Sequence, residues 1–524
     1  MSEKKDNKDL FQNSAQRRKA KENQEKKASK KTKLTAIIIA LAIVLLFAGA
    51  MLINSNFLRR TATAATVGGE KFSATEFDYF YFSSYLDYVN SVYSQYPEYA
   101  ESLLPSSQAP LNSQVYDAET GETWADYFRN AALQKMQDTV KLRTAAEDAN
   151  FTLSAEDSQR LDADILELID NSLLNGYSSF EKYLASMYGS TMTEKVFKNI
   201  MTGLYTSNAY AISKNDSFTY TEEELDAYYD EHKDLLDVFS YRYFLVTSET
   251  PETAEDATDE EIEAAKADAL AEAGVRANEM KARIEKSADA EVAFIEEANS
   301  YNPDSYSSPD STLRNYKGEL LGSVYGDWLR DTARKEGDVF TTDISTGYYV
   351  VYYGSRSDND YPTVAMRQIL ITPGTVNLSE YGDDAEDNAY KEALALVNNM
   401  AKSEAEQVLA ELRADSGTEE KFLELIQSYS DDTTEGGFYE NIYKWQMVPE
   451  IDAWLFDPAR VEGDYATVKS EAYGYHILFF KGTGSAYKDY LAENEKRGKD
   501  YTAWYEALPI PETKTNWAFR LTTA

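Results

Sequence analysis

Residues Trp454–Thr467 read WLFDPARVEGDYAT, and residues Trp328–Thr341 read WLRDTARKEGDVFT; nine of the fourteen positions are identical. A second pair of segments recurs at nearly the same spacing. Ala277–Asp304 ends in AFIEEANSYNPD and Ala405–Asp432 ends in KFLELIQSYSDD, without a gap between the copies. The closing segments also correspond, Gly347-Tyr348-Tyr349 against Gly474-Tyr475-His476. About 120 residues are therefore duplicated, the length of a domain and not of a solenoid repeat. One copy carries histidine at its last matched position and the other carries tyrosine, so the two copies are expected to differ in chemistry.

Working outward, repeat one spans about 239–355 and opens with a strand at Tyr241–Val246. A polar insertion, a long alanine- and glutamate-rich helix, the WLRD helix and a strand at Tyr348–Tyr353 follow. After a linker at Asn359–Pro362, repeat two spans about 364–482 in the same order, from a strand at Ala365–Ile371 to a strand at Tyr475–Phe480. Strands separated by helices, the last returning near the first, indicate a small α/β or α+β unit. Upstream, residues 66–236 read as mostly helical. Val67–Phe72 suggests a strand and turn, Ser73 with Glu76 forms a capping box, and an aromatic helix follows. Further helices are expected at Trp124–Ala149, Ser154–Asn175, Ser178–Met187, Thr193–Ile212 and Thr221–Leu236. Residues 485–524 add a helix, Tyr487–Ala507, and a tail whose Trp517 and Phe519 need apolar partners; this segment is expected to pack back on the helical region.

The N-terminus is a different kind of sequence. Residues 1–33 hold twelve lysines and arginines and five acids, lack apolar periodicity, and read as a disordered basic tail. Leu34–Ile53, LTAIIIALAIVLLFAGAMLI, is uncharged over twenty residues, enough for a helix of about 30 Å to cross a bilayer. The basic flank places the tail in the cytoplasm and everything beyond the anchor outside, a single-pass membrane protein. A cleaved signal is the competing reading, since Ala62-Thr63-Ala64 has the small-x-small form, but the apolar run is long and Arg59-Arg60 intervenes.

Composition excludes several functions. The chain has no cysteine, hence no disulfide and no thiolate chemistry. Two histidines in 524 residues argue against a zinc site, and no phosphate-cradling glycine loop is present, so no metal or cofactor is expected. Beyond the basic tail, about 40 basic residues face 85 acids, a body that repels nucleic acid. Forty tyrosines suit amphipathic binding surfaces. Ser428 or Ser430 with His476 and an aspartate superficially suggests a hydrolase, but no nucleophile elbow surrounds either serine. His232 lies among charges and is assigned no role.

Repeat two resembles the parvulin family of peptidyl-prolyl cis–trans isomerases. The family pattern opens with an Arg-His-Ile-Leu strand. It continues with a Tyr-Ser-Asp segment, a Gly-Gly turn and a Gln-Met pair, and closes with a Gly-Tyr-His-Ile strand. Here those positions read Arg367-Gln368-Ile369-Leu370, Tyr429-Ser430-Asp431-Asp432, Gly436-Gly437, Gln446-Met447 and Gly474-Tyr475-His476-Ile477. Repeat one is similar but more divergent, with Tyr243 and Tyr349 at the two family histidines. Anchor, helical region, two such units and a late helix together resemble extracytoplasmic foldases of the PrsA and SurA type. The resemblance implies an α+β chain: a transmembrane helix, a helical chaperone domain completed by the C-terminal segment, and two parvulin-like α/β domains of FKBP-like topology. It implies isomerase activity in repeat two only, with His476, Asp432 and Gln368 as catalytic residues and Met447, Ile451, Phe456 and Gln446 binding substrate. The implied partners are unfolded or newly secreted polypeptides and, through residues 34–53, the membrane. The alternative is a non-catalytic holdase or assembly scaffold using both units as binding modules.

Overall fold

The computed structural model describes residues 56–249, 258–382, 385 and 387–523. The expected basic tail (1–33) and membrane anchor (34–53) lie outside the described residues, and among those described no helix is long and apolar enough to cross a membrane. The chain divides into two compact units, one ending at Phe218 and resuming at Tyr501, the other spanning Thr219–Asp500.

In the first unit, strands β1 (Thr63–Val67) and β2 (Glu70–Ser73) form a hairpin. Ser73 then caps the helix Ala74–Gln95: its side chain accepts from the Glu76 N–H, and Glu76 accepts in return from the Ser73 N–H at 2.7 Å. This helix is buried on nearly every side through its first two turns, at Phe77, Tyr79, Phe80 and Tyr81. Those rings pack with Phe128, Met136 and Val140 of the helix Trp124–Asp148, and with Leu184 and Phe197 of the helices Phe180–Tyr188 and Glu194–Asp216. The C-terminal segment completes the unit. Strand Thr513–Thr515 pairs antiparallel with β1, and the Phe519 ring meets Phe77 edge-on at 4.7 Å. Trp517, expected to find an apolar partner, is instead 64% exposed, because the short 3-10 turn Trp517–Leu521 directs Ala518 and Phe519 inward.

The second unit begins with the helix Glu222–Leu236 and then builds the same four-stranded antiparallel sheet twice. Strands β3 (Val238–Thr247), β4 (Leu313–Lys317), β5 (Val339–Ile344) and β6 (Gly347–Ser357) lie in the order β4-β3-β6-β5. Strands β7 (Pro362–Ile371), β8 (Phe438–Ile442), β9 (Tyr465–Ser470) and β10 (Gly474–Ala486) lie in the order β8-β7-β10-β9. Sequence periodicity finds only the first and last strand of each repeat. The middle strands are edge strands of five or six residues, largely part-exposed, and carry no clear alternation. The linker also differs from a solvent-exposed tether. Asn359 is fully buried, and its amide donates to the Leu236 carbonyl at 3.0 Å and the Tyr229 hydroxyl at 2.9 Å.

The duplicated fourteen-residue stretch is a duplicated turn. In repeat two it leaves the short helix Pro449–Leu455. Asp457 accepts from the Ala459 N–H, and Arg460 pairs with Asp457 and Asp464 while its guanidinium lies 4.0 Å over the Trp454 ring. The Gly463 N–H then donates to Phe480 O and the Phe480 N–H to Asp464 O, fastening β9 beside β10. Repeat one repeats each contact: Asp331 with the Ala333 N–H, Arg334 with Asp331 and Asp338, Arg334 over Trp328 at 5.2 Å, and Gly337 and Asp338 exchanging bonds with Tyr353. The conserved glycine has φ +88° in one copy and +93° in the other, a conformation unfavourable for a side chain.

The two faces of each sheet alternate by residue. In repeat two, Ile369, Ile371, Ile477 and Phe479 face the helices Asn388–Ala414 and Glu419–Tyr429, burying against Val408, Leu412, Phe422 and Leu425. Their neighbours Met366, Leu478 and Phe480 face the other way, onto Ile451 and Leu455.

Two substitutions test this account. Gly463→Ala meets no atom within 4 Å, so it is expected to cost only backbone strain, about 1–2 kcal/mol in denaturant unfolding. Phe519→Ala is expected to cost about 2 kcal/mol or more, the half-buried end of the range for deleting a core phenylalanine. If the C-terminal segment were merely appended, that variant would unfold like the parent.

Candidate active site

Gln368 on β7 and His476 on β10 share the sheet face turned away from the two long helices. His476 sits opposite Leu370 and Leu478 opposite Gln368, so the two polar residues are diagonal neighbours. Both are buried. His476 Nδ1 lies 3.1 Å from Gln368 Oε1, and Gln368 Nε2 donates to Asp432 Oδ2 at 2.7 Å.

Local structure explains how Asp432 arrives there. After the helix Glu419–Tyr429 the chain runs along β7, with the Asp431 N–H donating to Leu370 O at 2.8 Å and Ser430 Oγ accepting from the Leu370 N–H. Asp431 turns back to accept from the Thr372 N–H and hydroxyl. Asp432 faces the cleft. The Gly436-Gly437 turn follows, held by the Arg367 guanidinium, which donates to Gly436 O at 2.7 Å and pairs with Glu419 at 2.8 Å. Gly437 has φ +54°, and a Cβ there would lie 2.3 Å from the Gln368 carbonyl oxygen.

The residues meet at one open cleft of about 330 Å³, lined by Gln368, Leu370, Asp432, Tyr439, Gln446, Met447, Val448, Ile451, Tyr473 and His476. Six of the seven residues picked from the sequence therefore converge. Phe456 is the correction. It follows the short helix and packs into the apolar cluster beneath, with its ring 6.0 Å from Tyr361, and does not line the cleft. Gln446 lines the cleft, yet its side-chain oxygen accepts from the Tyr443 N–H at 3.0 Å and closes the preceding turn.

Two members were missed. Ser470, fully buried at the end of β9, lies 2.8 Å from His476 Nε2 and accepts from the Tyr473 N–H. Tyr439 on β8 donates to Asp432 Oδ2 at 2.8 Å. Both sit on the short strands that periodicity does not reveal. The register of β8 on β7, with Tyr439 beside Met366, is what brings the phenol to the carboxylate.

With a neutral imidazole the network has one self-consistent proton arrangement. The Gln368 amide N–H groups point to Asp432, so its oxygen faces His476 and must receive Nδ1–H. Nε2 then accepts from the Ser470 hydroxyl. Burial lowers the His476 pKa, which agrees with a neutral ring, and outweighs Glu450 and Asp432, which act in the opposite sense. Burial pushes Asp432 upward, but the bonds it accepts from Gln368, the Thr434 N–H and Tyr439 outweigh it and hold the carboxyl below its ordinary range. The cleft thus presents a fixed anion, a neutral imidazole and an apolar floor of Met447, Val448 and Ile451. Nothing in it is an activated nucleophile.

Repeat one fills the corresponding face with rings. Tyr243 and Tyr349 stand at the positions of Gln368 and His476, 5.7 Å apart, and Tyr325 lies within 5.9 Å of both. Arg314, paired with Tyr241 as Tyr439 is with Met366, lies 4.9 Å over the Tyr243 ring. Ile344, the residue beside Gly347, occupies the place of Ser470 beside Gly474. His232 stacks on Tyr228 at 4.1 Å and belongs to neither face. Among the described residues no cluster of histidine, aspartate or glutamate could hold a metal ion.

Residues 389–482 match the family model for the rotamase, or PPIC-type PPIASE, domain. The second repeat is thus a parvulin-type domain by sequence, and the match begins after β7, so the strand carrying Gln368 lies outside it. No curated protein matches the chain. Solved structures with similarity include one described among the SurA-like chaperones PEB4 and Cj1289 of Campylobacter jejuni, at 16% identity, 66% of this chain, 96% of that chain and a TM-score of 0.17. PrsA of Bacillus subtilis aligns at 14% identity over 57% of this chain and 91% of that one, TM-score 0.15. The foldase protein PrsA of Streptococcus pneumoniae aligns at 11% identity over 55% and 93%, TM-score 0.21. Scores this low carry no argument about the fold.

Two outcomes follow for the site. Gly437→Ala should destabilise the chain more than Gly463→Ala does, because its Cβ meets backbone and cannot be relieved by a side-chain shift. Neutral, buried His476 contributes stability that is fully present above its ordinary pKa of 6.5 and is lost as pH falls through that value toward the lowered folded one. The difference in unfolding free energy between parent and His476→Gln should therefore shrink as pH drops from 7.5 to about 5.5; a difference independent of pH would mean that the ring is not held neutral.

Proposed function

We propose that this chain is an extracytoplasmic foldase, tethered to the cell membrane through residues 34–53, whose second repeat isomerises peptidyl-prolyl bonds in unfolded or newly secreted polypeptides. The observation that carries the proposal is the convergence of Gln368, Asp432 and His476 with Met447 and Ile451 on one cleft, inside a segment largely matched by the PPIC-type family model.

The chemistry asks for no bond breaking. A barrier of about 20 kcal/mol separates cis from trans, set by amide resonance. The planar amide is charge-separated and the twisted one is less so. An apolar, water-poor floor under the prolyl ring favours the twisted form, and an anion beside the carbonyl oxygen raises the planar form. Met447, Val448 and Ile451 supply the floor and Asp432 the anion. His476 and Gln368 act through Asp432: with Ser470 they hold its orientation without adding a titrating partner of their own at the amide. Gln368 in place of the family histidine retains the bridge between His476 and the carboxylate.

A second reading is favoured by a specific observation, the tyrosine-filled face of repeat one. A domain whose cleft is occupied by Tyr243, Tyr325 and Tyr349 has no seat for a prolyl ring and would serve as a binding module. The non-catalytic holdase is the limit in which repeat two behaves the same way.

Turnover of a proline-containing peptide by the full chain, followed by NMR exchange so that no protease is needed, decides between them. Asp432→Asn and His476→Ala are expected to reduce it by about 10-fold or more, the scale of a lost electrostatic contact at a transition state. Tyr243→Phe and Tyr349→Phe in repeat one should leave it unchanged. Suppression of client aggregation without any prolyl turnover would establish the holdase.

A further inference from the structure

The helix Ala74–Gln95 changes character along its length. Its first turns are core, whereas its last turn and the following segment expose Tyr93 (55%), Tyr96 (52%) and Tyr99 (64%), with Leu103 beside them. The loop that follows is tied down and returns to the same place: Gln114 bonds Ser106 and Ala109, Val115 bridges Thr123, and the Tyr88 hydroxyl donates to Leu103 O. Tyr116, also exposed, rests on Trp124 at 4.7 Å and Tyr127 at 4.3 Å, and Tyr88 meets the same two rings at 5.4 and 5.7 Å. Tyr116 thus stands on a packed aromatic base and carries little conformational entropy to lose on binding.

The electrostatics of this end are one-sided. Residues 72–128 contain no lysine or arginine and nine acids. Glu98 and Glu101, both exposed, are interleaved with Tyr96, Tyr99 and Leu103 and have no cationic partner among the described residues. Tyrosine faces with free carboxylates between them suit ammonium and guanidinium groups, which gain cation–π contact and charge pairing together. They do not suit a second copy of this chain, whose net charge of −38 would be brought against the same negative surface.

We propose that this aromatic end docks a lysine- or arginine-rich segment of unfolded polypeptide. It names the client chemistry of the foldase proposed above and rests on that reading. The rings take the apolar stems and cationic heads of extended basic side chains, the two glutamates set the preference for positive charge, and the surface holds a client independently of the prolyl cleft.

The test is fluorescence anisotropy of the full chain with a labelled, proline-free, unstructured peptide of lysine, serine and tyrosine, against the same peptide with glutamate in place of lysine. The lysine peptide is expected to bind at least about 10-fold more tightly, a difference that narrows at high salt as the charges are screened. Tyr93→Ser with Tyr96→Ser and Tyr99→Ser, all exposed positions, should weaken it about 10-fold. Glu98→Gln with Glu101→Gln should weaken it and flatten the salt dependence, and His476→Ala should leave it unchanged. Equal binding of the two peptides, indifference to the tyrosine triple variant, or equally tight binding of a folded basic protein overturns the proposal. Prolyl turnover measured on the same samples separates the two claims. Turnover without peptide binding overturns the docking surface and spares the isomerase; peptide binding without turnover supports the surface and removes the isomerase.

Discussion

The pairing of β7 with β10 is the constraint on which the rest of the second repeat depends. These are the first and last strands of the repeat, about a hundred residues apart in sequence, and they lie side by side in antiparallel register. Because side chains alternate across a strand, one register decision assigns every residue of both strands to a face. Ile369, Ile371, Ile477 and Phe479 go to the helices. Gln368 and His476 go to the other side, where a polar pair would be costly unless each group found a partner. Each does: the imidazole has Ser470 and Gln368, the amide has His476 and Asp432, and the carboxylate also has Tyr439 and the Thr434 N–H. A one-residue slip would bury these groups against leucine and phenylalanine.

The two repeats show the same scaffold resolved in two ways. Sheet order, the arginine-bridged turn and the tryptophan beneath it are shared to the level of individual hydrogen bonds. The faces are not. In one copy the strand pair carries a hydrogen-bonded polar network beside an open apolar floor. In the other the equivalent positions carry Tyr243, Tyr349, Arg314 and Ile344, and the rings pack on one another. Framework contacts depend on the turn residues, which the two copies have kept. The chemistry depends on four side chains that stand on the framework without supporting it, so these could diverge without disturbing the fold.

The first unit solves a separate problem. Its aromatic helix buries rings around most of its circumference, and a helix of that kind needs cover on every side. Part of the cover comes from the far end of the chain, through the strand Thr513–Thr515 and Phe519. The same helix then runs out of cover at Tyr93, and the rings of Tyr93, Tyr96 and Tyr99 remain in solvent near Glu98 and Glu101, which have no cationic partner among the described residues. Tyrosine tolerates both situations because the ring is apolar and the hydroxyl is not, so a high tyrosine content by itself does not tell core from binding surface.

What the residues determined unaided was local or repetitive. Duplication is visible because identical side chains recur at a fixed spacing, and the turn they encode forms from contacts within about ten residues. The capping box at Ser73 and Glu76, the long helices and the outer strands follow from spacing rules of the same short range. Six residues that line the cleft could be named because repeat two resembles a family motif by motif. Only the tertiary structure decided the remainder. The edge strands β4, β5, β8 and β9 owe their conformation to a neighbouring strand, not to their own pattern. Ser470 and Tyr439 become site residues only through the register of those strands. Phe456 leaves the site because the short helix ends just before it and turns its ring toward Tyr361. In each case a residue's role was set by a partner distant in sequence, and such partners are chosen by packing across the whole unit, which no local window of the chain contains.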